Sequence, residues 1–173
     1  MDLEYRYMSH VQGLICGSID LCLQESDISA NRRAKDLWCT LPYPDHPDGC
    51  PNYGSKEGCP PDTPFVFDIL QEPFRLVGVR FDINKHMRRM KDRHPEWSDR
   101  KARCVLYWQN SVDKALREKA EKVASSFEDS KILMKPEAYG VSLFKTCRDA
   151  GIELETFPPK KYVWKLALVG KKK

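Results

Sequence analysis

Residues 76–83 read LVGVRFDI, an alternating stretch rich in β-branched side chains, which is the pattern of a β-strand with one face turned inward. From there helix and strand signals take turns to the end of the chain. Asn84 can cap a helix reaching about Arg93, where His94-Pro95 breaks it. RCVLYW, residues 103–108, is a short apolar run of strand type. Asn110 or Ser111 can cap the helix VDKALREKAEKVASSF, in which Val112, Leu116, Ala120, Val123 and Phe127 fall at helical spacing. KILM predicts another strand. PEAYGVSLFKTCRDAG predicts a helix with Pro136 in its first turn and Gly151 at its C-terminal cap, and KYVWKLALVG closes the chain as the last strand. This alternation predicts an α/β (or α+β) sandwich, a small sheet with packed helices, in a single domain spanning residues 1–173.

Upstream of that body the signals weaken. VQGLICGSIDLCL, residues 11–23, reads as a hairpin turning at Gly17-Ser18, which would set Cys16 and Cys22 on opposite sides of the ribbon. SANRRAKDLW predicts a short helix, capped by Ser29 or Asn31, that delivers Trp38 and Cys39 at its end. FVFDILQ reads as a short helix or extended piece stopped by Pro73.

Between these pieces lies WCTLPYPDHPDGCPNYGSKEGCPPDTP, so rich in Pro and Gly that it has little packing energy to hold one shape. Thiolate-to-metal bonds from Cys39, Cys50 and Cys59 would supply that energy, which makes residues 39–61 a candidate Cys-rich metal-binding loop at the N-terminal side of the body. Proline follows both Cys50 and Cys59, a step also found at the end of many iron-sulfur runs. Three widely spaced thiolates suit a 4Fe-4S cluster held at three corners. Zinc is the rival, with His46 as a candidate fourth ligand and Cys16 or Cys22 as others, although no Cys-x-x-Cys or Cys-x-x-His knuckle occurs. Cys104 and Cys147 sit in apolar settings and read as core residues.

Twenty-nine basic and 25 acidic residues leave a net charge of +4, too nearly balanced to require a nucleic-acid partner. The charge is clustered, however. Lys85, Arg88, Arg89 and Arg93 on the predicted helix are the candidate contacts to nucleic acid, and His86 and His94 among them read as solvated or RNA-facing; His10 has no obvious partner. The sequence has no Gly-x-Ser-x-Gly elbow, no P-loop and no Gly-x-Gly-x-x-Gly, so acyl transfer, nucleotide hydrolysis and dinucleotide redox chemistry have no support. The opening MDLEYRYMSH carries charge where a secretory leader needs an apolar run, and seven cysteines is an odd count for a disulfide framework. With no stretch of roughly 20 apolar residues, the expectation is a cytoplasmic protein without a membrane partner.

The segments GCPNYGSKEGCPPDTP and KPEAYGVSLFKTCRDAGIEL resemble a family of predicted metal-binding proteins, domain of unknown function 2284. The first is similar to that family's Cys-rich signature, carried here by Cys50, Tyr53, Gly54, Cys59, Pro60 and Pro61 with Cys39 upstream. The second is similar to its EA-x-G-[IV] helix, through Glu137, Ala138, Gly140 and Val141. The family's further cysteine run before that helix is missing from AEKVASSFEDSKILMKPEA, so a second centre and a relay between centres are not carried over. What the resemblance implies is metal binding, with iron-sulfur the leading form and no established activity. Together these readings predict a small iron-sulfur protein with a redox or sulfur-transfer role and a matching partner protein. The alternative is a zinc-stapled or cluster-stapled module that binds nucleic acid or protein without catalysis.

Overall fold

The computed structural model describes residues 13–43, 46–156 and 158–173; His10 and the first residues of the predicted hairpin lie outside them. Its four strands, β1 (Ile15–Leu23), β2 (Leu70–Asp82), β3 (Ser130–Leu133) and β4 (Tyr162–Lys172), form one sheet in the order β1-β2-β4-β3. Every pairing is antiparallel, so the fold is α+β rather than α/β. Six helices are seen among the described residues: α1 (Arg32–Thr40), α2 (Val66–Ile69), α3 (Ile83–Arg93), α4 (Asp99–Ala102), α5 (Gln109–Ala124) and α6 (Leu143–Asp149). None of them is long and apolar enough to cross a membrane.

The LVGVRFDI stretch lies in the central strand β2, and its two faces feed two cores. Val77, Val79 and Phe81 face α5, whose Val112, Leu116, Ala120 and Val123 are buried against them at the spacing read from the sequence. Phe127 packs against the same cluster. Leu70, Phe74 and Leu76 face the other way, toward Val66, Val141, Leu143 and Cys147. A strand covered on both sides stays apolar along much of its length, which is why it is legible without its partners.

Four sequence readings are corrected. Residues 15–23 do not turn at Gly17-Ser18; they run straight as edge strand β1. The inward set Ile15, Gly17, Ile19, Leu21 and Leu23 continues through the supposed turn, and β2 offers a long edge to pair with. Gly17 leaves room for the Arg80 guanidinium, which a Cβ there would meet at 3.1 Å. Pro73 does not end the FVFDILQ segment, which is helix α2 running directly into β2. It falls where the β2–β4 register skips from Gln71 to Arg75, and where β1 has already ended its ladder at Phe74, so no strand bond is asked of its missing N–H. RCVLYW is a tight turn rather than a strand: Trp108 stacks on Phe81 at 4.9 Å while Leu106 points outward. The PEAYGV helix is broken, with a 3-10 turn at Pro136–Tyr139, Gly140 at φ 90° and α6 starting only at Leu143.

Smaller differences follow from local competition. Asp82, not Asn84, caps α3 by accepting from the Lys85 amide at 2.7 Å, and α5 starts after Trp108 with no side-chain cap. His86 is not solvated; it is buried beside Phe81, with the rings 5.5 Å apart. Asn31 caps α1 as expected.

Cys147 is completely buried, and this burial, with the negative charge of Glu137, pushes its thiol up to about 11. Below the ordinary thiol range both folded and unfolded chains hold the proton, so pH has no effect through this group. Above it the unfolded chain ionises first, and stability falls until the pH passes about 11. Urea unfolding across that window should therefore show roughly 2–3 kcal/mol lost in the wild type beyond any loss in Cys147→Ala. Parallel slopes for the two proteins would refute it.

Candidate metal centre

Helix α1 places the first cysteine. Asn31 Oδ1 accepts from the amides of Arg33 (2.9 Å) and Ala34 (3.0 Å), and Arg32 forks onto the Asp68 carboxylate, tying the helix start to α2. Cys39 sits in its last turn, and the chain then enters the Pro/Gly-rich loop. The loop returns at once: the Cys50 amide donates to the Cys39 carbonyl at 2.7 Å. Gly49 makes that return feasible, because at φ 85° a Cβ would lie 2.5 Å from the Cys39 oxygen and 2.9 Å from the Thr40 backbone.

Tight turns bring up the third cysteine. The amides of Tyr53 and Cys59 donate to the carbonyls of Cys50 (3.0 Å) and Lys56 (3.1 Å), and the Gly54 amide closes the span by donating to Pro60 at 2.9 Å. Cys39, Cys50 and Cys59 are all half-buried free thiols. They lie within electrostatic reach of one another: the Cys39 thiol is pushed above its ordinary value by burial, then by the charges of Cys50, Cys59 and Asp36, with Lys35 opposing. Tyr43 belongs to the same neighbourhood, its hydroxyl pushed up by partial burial and then by Cys50 and Cys39. His46 joins it through Tyr43, with reciprocal backbone bonds of 2.8 and 3.1 Å and rings 4.6 Å apart.

The other proposed fourth ligands lie elsewhere. Cys22 is opposite Arg75 on the exposed edge strand, and the Cys16 thiol donates to the Arg80 carbonyl at 3.5 Å. Among the described residues no group of three or more His, Cys, Asp or Glu side chains is arranged to hold a metal ion. The backbone bond from Cys50 to Cys39 and the electrostatic reach of Cys59 are what bring the three together.

Two features escaped the sequence reading. Lys35 is buried in the middle of α1, one turn before Cys39, and its ammonium donates to the carbonyls of Thr63 (2.6 Å) and Pro61 (3.0 Å) while pairing with Asp36 at 2.9 Å. It staples the loop's exit to the helix that begins it; its only sequence signal is a cation at i, i+4 from a cysteine. The second is that the two family-like segments meet in space. Thr63 Oγ1 donates to the Ala138 carbonyl at 2.5 Å, the Asn31 amide donates to Gly140 at 2.8 Å, and Ala30 bridges Val141. An open cleft of about 340 Å³ lies at this junction, lined by residues 54–58 and 62–64 and by Tyr139. Leu37, Trp38, Leu41 and Tyr43 stand exposed around Cys39.

Comparisons with protein-family models, with curated proteins and with solved structures return no match. The likeness to domain of unknown function 2284 therefore rests on the residues quoted above.

Two substitutions test the loop's construction. Gly49→Ala forces a Cβ into the Cys39 and Thr40 backbone and should cost on the order of 1–3 kcal/mol of local stability. Thiol-labelling mass spectrometry should then find Cys39 and Cys50 modified several-fold faster than in wild type, with Cys147 unchanged. Lys35→Met leaves two carbonyls without their donor and should cost about 2 kcal/mol in urea unfolding. Wild-type stability in that variant would show that the staple does not hold the loop.

Proposed function

We propose that Cys39, Cys50 and Cys59 together hold one inorganic centre, an iron-sulfur cluster of the 4Fe-4S type in preference to zinc. The observation that supports it most is the return of the loop onto its start, where the Cys50 amide donates to the Cys39 carbonyl at 2.7 Å and the charges of Cys50 and Cys59 both bear on Cys39. A single zinc, with Zn–S bonds of about 2.3 Å, asks for sulfurs nearly in contact. A cluster binds its cysteines at separate corners, which suits three thiols widely spaced along the chain with no Cys-x-x-Cys knuckle. When bound, such a cluster supplies one-electron chemistry and an iron corner free of protein thiolate.

The chain's own groups prepare the site. Three thiolates close together repel, and each must lose its proton to bind, so Lys35 favours the loaded state by placing a cation within reach of Cys39. His46 is a candidate for a fourth position through its contact with Tyr43, which lies in the electrostatic reach of Cys50 and Cys39. The exposed apron of Leu37, Trp38, Leu41 and Tyr43 offers a face for a partner protein that exchanges electrons or sulfur, in a reducing compartment such as the cytoplasm.

Anaerobic reconstitution with iron and sulfide should give coloured protein carrying about four irons per chain. Cys39→Ala, Cys50→Ala and Cys59→Ala should each lose colour and iron, and Cys104→Ala and Cys147→Ala should keep both. Colourless protein with one zinc per chain, lost in the same three variants, would replace this reading with the zinc-stapled module.

A further inference from the structure

The strongest feature outside the cysteine loop is the unit built from α3, α4 and the turn Val105–Tyr107. Between Lys85 and Tyr107 the chain carries eight basic and three acidic residues, a net of +5 against +4 for the whole protein. The remaining residues therefore sum to a net charge of −1, although Lys160, Lys161 and Lys171 to Lys173 form a smaller basic zone of their own. Five of the eight cations are arginines, whose planar donors suit phosphate. Lys85, Arg88 and Arg89 share one helical face by their i, i+3, i+4 spacing.

The unit is joined rigidly. Lys91 of α3 pairs with Asp99 of α4. His94 and Trp97 stack at 4.2 Å, Tyr107 lies 4.9 Å from Trp97, and the Lys101 ammonium sits over the Trp97 ring at 4.5 Å. Trp108, locked on Phe81 and donating from Nε1 to the Arg103 carbonyl at 3.1 Å, anchors the turn Val105–Tyr107 that precedes it. At the tip of that turn Leu106 is 80% exposed, between Val105 at 46% and Tyr107 at 43%. A leucine held so far out, next to the Tyr107 that meets Trp97 and its Lys101, has the form of a wedge for an opened base step.

We propose that this surface binds a nucleic-acid strand, with the α3 and α4 cations on phosphates and the Leu106–Tyr107 tip against unstacked bases. An anionic membrane would also attract the charge, but surface attachment to lipid grows with the apolar area that can sink into it. Here the cations extend along an 11-residue helix and into α4, while the apolar tip is three consecutive residues. An extended cationic track with one apolar point fits a polyanion better than a bilayer. This surface does not depend on the metal reading, and its residues are distinct from the three cysteines.

Fluorescence anisotropy of the full chain with labelled mixed-sequence RNA and DNA oligonucleotides, single-stranded and duplex, over a series of salt concentrations tests it. Binding should be tighter to single strands, which avoid the cost of unstacking, and should fall steeply with salt. Arg88→Glu/Arg89→Glu should weaken it at least tenfold and flatten the log–log salt slope by about 2. Leu106→Ala should weaken it about tenfold, through lost apolar burial, and leave the slope unchanged. The control Lys171→Glu/Lys172→Glu should behave as wild type, and all variants should keep wild-type circular dichroism and metal content. Binding that ignores salt, no binding to any oligonucleotide, or an Arg88/Arg89 reversal that binds normally would overturn the proposal. So would sedimentation with phosphatidylserine vesicles, lost in Leu106→Ala, in a protein that does not bind the oligonucleotides.

Discussion

The pairing of β2 with β4 is the constraint on which the molecule depends. These two strands run side by side from Leu70↔Lys172 to Asp82↔Tyr162, and the side chains they alternate to each face organise both cores. Gly78 shows how tight this centre is, since a Cβ there would fall 2.6 Å from Leu166 and 2.9 Å from Ile19. Both candidate sites hang from the ends or faces of this pair. The cysteine loop is attached on the side of Phe74 and Leu76 through α1, α2 and the Pro136–Tyr139 turn, and α3 leaves directly from the end of β2.

The two candidate sites are held by different physics. The cysteine loop buries little apolar surface of its own; it is ordered by short backbone bonds, left-handed glycines and the Lys35 staple, which leaves its thiols half-buried and chemically accessible. The basic unit is tied by aromatic stacking onto Phe81 and by a surface ion pair, so it presents charge from a firm base. One arrangement suits a centre that has to be loaded, the other a surface that meets its ligand ready-made.

What the sequence revealed tracks how local the cause is. LVGVRFDI and the 109–124 helix were legible because one strand or one helix face carries the whole signal in its own periodicity. Residues 15–23 misled because Gly17 answers to Arg80, more than sixty positions away, and RCVLYW because Trp108 and Leu106 go to opposite fates that no apolar run distinguishes. His86 looked solvated among its charged neighbours, yet its helical position turns it onto Phe81. The loop's composition drew attention to Cys39, Cys50 and Cys59, but Lys35 and the contact between Thr63 and Ala138 were not legible, since both are made across the fold.

The double anchoring of the cysteine loop has a consequence for how such a chain can vary. Asn31 at its approach and Thr63 at its exit are both fixed to the same short turn around Ala138 and Gly140, so the distance between the loop's two feet is set by the body. Closing a longer excursion between fixed feet costs only about 0.6 kcal/mol per doubling of length. Chain entropy therefore sets little of the loop's length; the fixed feet, the close return at Gly49 and the turns from Cys50 to Pro60 set its form together.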